Sequence, residues 1–211
     1  MSAPARTTRP KRLIGIVGTN TEVGKTWVTS HLLRLLKSRG LSVAARKPVQ
    51  SFDPPANGTD AELLAAATGE NVEDVCPRHR WYPVAMAPPM AADVLGREPI
   101  LLSELAREIL WPADIDVGCV ETVGGARAPL AHDADSVDIL KHLAVDEVLL
   151  VADAGLGTLN AVRLTLECLK PLPVTVFLNR YDADNELHRL NRRWLLEKDG
   201  SRVLTAIQDL Y

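Results

Sequence analysis

The apolar run Leu13-Ile14-Gly15-Ile16-Val17 leads directly into Gly18-Thr19-Asn20-Thr21-Glu22-Val23-Gly24-Lys25-Thr26, and a segment of helical periodicity follows. This order of strand, glycine-bounded loop and helix constrains the fold more than any other stretch. Such a loop turns successive backbone N–H groups toward phosphates, its lysine reaches the β- and γ-phosphates, and its threonine hydroxyl helps to hold Mg²⁺. Five residues separate the two glycines, one more than the common spacing, yet every chemical part is retained. The chain is therefore expected to use a nucleoside triphosphate.

Strand and helix signals then alternate. Residues 13–17, 42–45, 116–120, 147–152 and 174–178 are short β-branched or apolar runs suited to strands covered on both faces. A helix over 27–38 places Val28, Leu32, Leu35 and Leu36 on one face and stops before Gly40; Asp60 opens another. Helices over 102–110, 137–143 and 159–169 continue the pattern, while Pro54-Pro55 and Pro88-Pro89 read as loops. The prediction is a single-domain α/β fold with a doubly wound, mostly parallel sheet of the P-loop NTPase type. Residues 13–211 form that domain, and 1–12 read as a basic, disordered tail without the apolar stretch of a signal peptide.

With 46% hydrophobic residues in 211, the chain can bury one sizeable core. A net charge of −3 offers no general attraction to nucleic acid or anionic membrane, and no apolar run has membrane-spanning length. A soluble cytoplasmic protein is expected. Cys76, Cys119 and Cys168 are odd in number and lack ligand spacing, which fits reduced thiols.

In a doubly wound sheet, ligands sit beyond the carboxyl ends of the strands. Lys47 follows the second strand in Lys47-Pro48-Val49-Gln50-Ser51 and supplies another cation. Glu121 follows the third, opening a Glu121-Thr122-Val123-Gly124-Gly125-Ala126-Arg127 loop, and is a candidate Mg²⁺ ligand. Asp153 begins a second glycine-containing helix entry, and Asn179 ends the fifth strand, where its amide could read a base. His79, His132, His142 and His188 have no ligand spacing. Trp81, Trp111 and Trp194 read as packing residues, and Trp27 is expected to pack behind the phosphate loop.

GTNTEVGKT, KPVQS, TDAEL, the 82–100 stretch ending GREPI, ETVGG, LGTLN and LNRYD occur in the order found in dethiobiotin synthetases, which this chain resembles over roughly residues 13 to 182. The resemblance implies closure of a ureido ring on 7,8-diaminopelargonic acid from CO₂ and MgATP, through a carbamate and a carbamic-phosphoric anhydride. It implies catalytic roles for Lys25 and Lys47. Thr21, Glu22, Val23, Gly24, Lys25, Thr26 and Trp27 would bind the nucleotide phosphates; Asn179 and Arg180 would lie at the base. Thr26, Asp60 and Glu121 would be Mg²⁺-associated. Ser51, Gly124, Gly125, Ala126, Thr158 and Asn160 would bind substrate, whose carboxylate would lie near helix ends at a homodimer interface.

Three features depart from the family pattern. Thr122-Val123 stands where a Gly-Ala pair is common, Arg127 replaces an apolar residue, and residues 200–211 lack the usual Pro-containing segment. Asn179-x-x-Asp182 also resembles a guanine-reading pattern, with Arg180 in place of lysine. The residues alone leave open a synthetase, a paralogue acting on another amine or acid, and a nucleotide-dependent switch.

Overall fold

Strand β1 (Arg12–Gly18) is buried along nearly its whole length, with Leu13 and Val17 in one core and Ile14 and Ile16 in another. Alternate residues of a strand point to opposite faces, so both sides of β1 must be covered. The first cover is α1 (Lys25–Ser38), whose Val28, Leu32 and Leu36 recur at i, i+4 and i+8 against Ile14 and Ile16. Each such buried side chain contributes about 1.5–3 kcal/mol relative to exposure. The helix stops where Gly40 takes a φ of 83°, as the sequence predicts.

The computed structural model describes residues 9–54 and 58–210. After α1 come β2 (Val43–Arg46), β3 (Gln50–Ser51), α2 (Asp60–Thr68), α3 (Val72–Val75), β4 (Trp81–Tyr82), α4 (Pro88–Val94) and α5 (Leu102–Glu108). The second half runs β5 (Val117–Gly125), β6 (Pro129–Ala131), β7 (Ala134–Asp135), α6 (Ser136–His142), β8 (Glu147–Asp153), α7 (Thr158–Leu169), β9 (Val174–Asn179), α8 (Glu186–Glu197) and β10 (Arg202–Leu204). The main sheet has the order β10-β9-β8-β1-β5-β2, and all its pairings are parallel. From β1 the chain steps out to β2, returns to β5 and then crosses to β8. The P-loop thus lies where connections diverge to opposite sides, with the ends of β5 and β2 beside it.

Two helix starts fix parts of the site. Thr59 caps α2 in a reciprocal box with Glu62, and this holds Asp60 in the first turn. Gly24 starts α1 at φ 90°, aiming the first-turn N–H groups toward the P-loop.

Several expectations need correction. Pro88 opens a helix rather than a loop, because a proline at the first position loses no intrahelical bond. The strand expected to end at residue 120 continues to Gly125 through a register shift, so Glu121 and Thr122 are strand residues; Thr122 Oγ1 donates to Ile16 O at 3.0 Å. Residues 9–12 are not a loose tail: Lys11 N and Arg12 N bond to Ile115 O and Asp116 O at 3.0 Å, and Arg9 pairs with Asp146 at 3.0 Å. Residues 1–8 lie outside the described residues. Helix α8 and β10 carried no expectation, since only Asn191 and Leu195 of α8 are buried and β10 is a three-residue edge strand. No helix among the described residues is long and apolar enough to cross a membrane.

Candidate active site

The carboxyl ends of β1, β2 and β5 bring two lysines and two carboxylates together. Glu121 is fully buried; its Oε2 accepts from Thr29 Oγ1 at 2.7 Å, and its Oε1 lies 2.7 Å from Thr26 Oγ1 and 3.0 Å from Lys47 Nζ. Asp60 closes the cluster from α2, with Oδ2 2.7 Å from Lys47 Nζ and Oδ1 2.7 Å from Thr26 Oγ1. The third Lys47 proton goes to Thr122 O at 3.1 Å. Burial pushes the Lys47 ammonium down, but Asp60 and Glu121 outweigh it and the net shift is upward, so Lys47 is a fixed cation. Burial likewise pushes Asp60 up, and is outweighed by the Lys47 charge and the hydrogen bonds from Lys47 and Thr26, leaving Asp60 below its ordinary value.

Lys25 has a different environment. Its Nζ donates to Gly124 O at 2.9 Å and Asn20 O at 3.4 Å, both uncharged. Burial first and the neighbouring Lys47 second lower it to about 8, against the pull of Glu121 and Asp60. Two cations are thereby placed next to each other before any anion arrives.

The Thr26 hydroxyl has one proton but sits 2.7 Å from two carboxylate oxygens. One of those approaches has no proton to share. Three convergent hard oxygens of this kind suit Mg²⁺, which takes few protein ligands beside water and phosphate. The donor set therefore fits the metal expected at a P-loop.

A cavity of about 670 Å³ opens over this cluster, lined by Thr21, Glu22, Lys25, Thr26, Trp27, Lys47, Ser51, Asp60 and Gly124, with Met86 and Val123 as apolar walls. A second, of about 720 Å³, shares Gly24 and Trp27 with it and extends past His31, Phe177, Asn179, Arg180 and Tyr181 to residues 205–208. The segment after β10 thus walls the second cavity without a proline. Asn179 is 7% exposed and its Nδ2 donates to Val23 O at 2.9 Å, so it braces the P-loop as well as lining the cavity. Arg180 bonds Glu22 O at 2.8 Å and pairs with Asp153 at 3.1 Å. Asp182 accepts instead from Asp184 N at 2.9 Å, in a local turn.

Trp27 does not pack behind the loop: it is 51% exposed, lines both cavities, and its ring lies 4.0 Å from that of His31. His31, which the sequence reading missed, was detectable only from its i+4 spacing to Trp27. Gly125, Ala126, Thr158 and Asn160 line neither cavity. Gly125 pairs with Gly18 in the sheet, Ala126 O accepts from Val137 N at 3.2 Å, and Thr158 Oγ1 is spent on Asp153 O at 2.6 Å. Asn160 is exposed on α7 near Leu156, itself 92% exposed. Arg127 pairs with Asp135 at 2.6 Å.

A family model described as an AAA domain matches residues 12–210. An ATP-dependent dethiobiotin synthetase of Haloferax mediterranei is 39% identical over 194 residues, covering 90% of this chain and 81% of that protein. The chain belongs to the dethiobiotin synthetase family. The corresponding synthetase of Brachyspira hyodysenteriae is 30% identical, with 94% of this chain and 92% of that protein covered. Among solved structures, a plasmid partition protein of Borrelia burgdorferi bound to AMPPNP has a TM-score of 0.52 at 16% identity, over 96% of this chain and 90% of its own. Chloroplast FtsY of Physcomitrella patens has a TM-score of 0.54 at 20% identity; this chain, 96% covered, spans 61% of it. These two likenesses speak for the fold alone, and the synthetase family is set by the sequence relatives.

Proposed function

We propose that the chain is an ATP-dependent dethiobiotin synthetase that closes the ureido ring of 7,8-diaminopelargonic acid with CO₂, releasing ADP and phosphate. The observation that carries this reading is Lys47, a buried second cation clamped by Asp60 and Glu121 beside the P-loop lysine. Binding a triphosphate requires one such lysine; building an anionic intermediate next to it calls for another.

One substrate amine takes up CO₂ to give a carbamate. A carbamate oxygen attacks the γ-phosphorus, the bond to the bridging oxygen breaks, and ADP leaves. The second amine then attacks the carbamoyl carbon, expelling phosphate and closing the ring. Phosphoryl transfer needs positioning and charge stabilisation rather than a protein nucleophile. Lys25 would exchange its bonds to Asn20 O and Gly124 O for phosphate oxygens, and Lys47 would face the carbamate. Thr26, Asp60 and Glu121 would hold Mg²⁺, which neutralises phosphate charge when bound. Ser51, which lines the cavity, would contact the substrate, and the 156–160 segment, with Leu156 and Asn160 exposed, would reach the substrate of a second copy in a homodimer.

Phosphate release with MgATP and bicarbonate, with and without diaminopelargonate, tests the reading when dethiobiotin is followed by mass spectrometry. Matched, substrate-dependent release of both is expected. Turnover indifferent to the diamine would instead support a nucleotide switch.

The lowered Lys25 makes a further prediction. Its protonated form binds phosphate, so ATP affinity should be full below pH about 8 and fall above it by at most about tenfold per pH unit. Titrations from about pH 7 to about pH 9.5 should show this decline in the parent and not in Lys25→Arg, whose charge persists throughout.

A further inference from the structure

Gln50 is 2% exposed and lines the cavity that contains Lys47 and Asp60. Its Oε1 accepts a 3.0 Å hydrogen bond from the backbone N–H of Ala61. A backbone N–H can only donate, so this contact settles which way round the amide lies. It also satisfies one of the orphan N–H groups in the first turn of α2, the turn that carries Asp60. The NH₂ end is left buried, with no hydrogen-bond partner among the described residues. A buried donor in that state is costly, and its position at the cavity wall suggests a partner that arrives with the ligand.

The surrounding donors are committed elsewhere. Lys47 gives its three protons to Asp60, Glu121 and Thr122 O, and Ser51 gives its own to Met86 O at 2.6 Å. Whatever completes Gln50 must be an acceptor, because an amide NH₂ only donates. A protonated substrate amine offers donors alone, whereas a carbamate presents two anionic oxygens.

We propose that Gln50 Nε2 donates a hydrogen bond to a carbamate oxygen of the N-carboxylated substrate, so that Gln50 favours the carbamate over the free diamine and positions it next to the phosphate. This rests on the synthetase reading. One side chain then has two duties: its oxygen fastens the turn bearing Asp60, and its nitrogen binds the reacting anion.

Two substitutions separate those duties. Gln50→Glu keeps an oxygen for Ala61 N but replaces the donor with an acceptor; Gln50→Met removes both. In Gln50→Glu, kcat/KM for diaminopelargonate should fall about 30-fold or more and the half-saturating bicarbonate concentration should rise, while the Kd for ATP without diamine stays within about twofold. Gln50→Met should show a comparable loss together with a lower melting temperature. Parent-like kcat/KM and bicarbonate dependence in Gln50→Glu would overturn the proposal, as would a loss of ATP affinity as large as the loss of turnover. If the parent forms no dethiobiotin, the synthetase reading falls and this inference falls with it, whereas parent turnover with an indifferent Gln50→Glu removes the Gln50 donor alone.

Discussion

Lys47→Met is expected to lower kcat/KM by about 10³-fold and to destabilise the fold by about 2–4 kcal/mol. The catalytic part follows from its place: Lys47 is the cation next to Lys25, and removing a single preorganised donor of this kind costs about 10²–10³ in rate. The stability part follows from what is left behind. Glu121 is 0% exposed and would keep only its two threonine partners, and Thr122 O would lose its donor. Breaking one side of a fully buried pair costs about 3–5 kcal/mol, but Asp60 keeps 41% of its side chain in solvent, which brings the expected loss down to about 2–4 kcal/mol. The pH dependence gives an independent check. Asp60 is held below its ordinary value by Lys47, so the stability it gains is present above the unfolded carboxylate pKa and is lost as pH falls through the folded one. The deficit of Lys47→Met in urea unfolding should therefore be largest near neutrality and shrink in acid. A deficit independent of pH would mean that Lys47 stabilises by packing, and unchanged turnover would remove it from the chemistry.

The legibility of this site in the sequence was uneven, for physical reasons. The P-loop was readable because strand, glycines, lysine and threonine are contiguous, and the local backbone alone demands them. Lys47, Asp60 and Glu121 were readable as single residues at element ends, yet their mutual contacts of 2.7–3.0 Å depend on the order of β1, β5 and β2, which no local pattern encodes. The extension of β5 to Gly125 was hidden because it begins with a charged residue, Glu121, ends in Gly124-Gly125, and pairs with β1 across a register shift. Helix α8 was hidden for another reason: Leu187, Leu190 and Trp194 recur at i, i+3 and i+7 but are half exposed in a segment that is polar on average, and its start depends on Asn185 accepting from Leu187 N and His188 N. Trp27 misled because a large aromatic next to a loop is usually packing, whereas here it stands over two cavities. The orientation of the Gln50 amide was invisible in principle, since one backbone N–H from a helix 11 residues away decides it.

Gly24→Ala is expected to weaken ATP binding more than 100-fold, although it adds one methyl group and changes no charge, an effect of about 3 kcal/mol. Gly24 sits at φ 90°, a conformation that costs an L-residue about 1–2 kcal/mol. A Cβ there would also fall 2.2 Å from Asn179 Nδ2. That nitrogen is not at the end of a long flexible chain; it is tied to Val23 O at 2.9 Å in a residue only 7% exposed. The amide must swing away and give up Val23, or the loop must lift away from β9. Either movement displaces the N–H groups that open α1 and the turn that carries Lys25, so the phosphate cradle is lost while the distant core is spared. Calorimetric titration with ATP should report the loss in affinity, and the melting temperature without nucleotide should fall by only a few degrees, about the amount expected for 1–2 kcal/mol. The companion Asn179→Ala separates the two causes: it vacates the space the methyl needs, so Gly24→Ala/Asn179→Ala should bind ATP better than Gly24→Ala alone. If the double variant binds no better, the left-handed backbone rather than the collision sets the penalty.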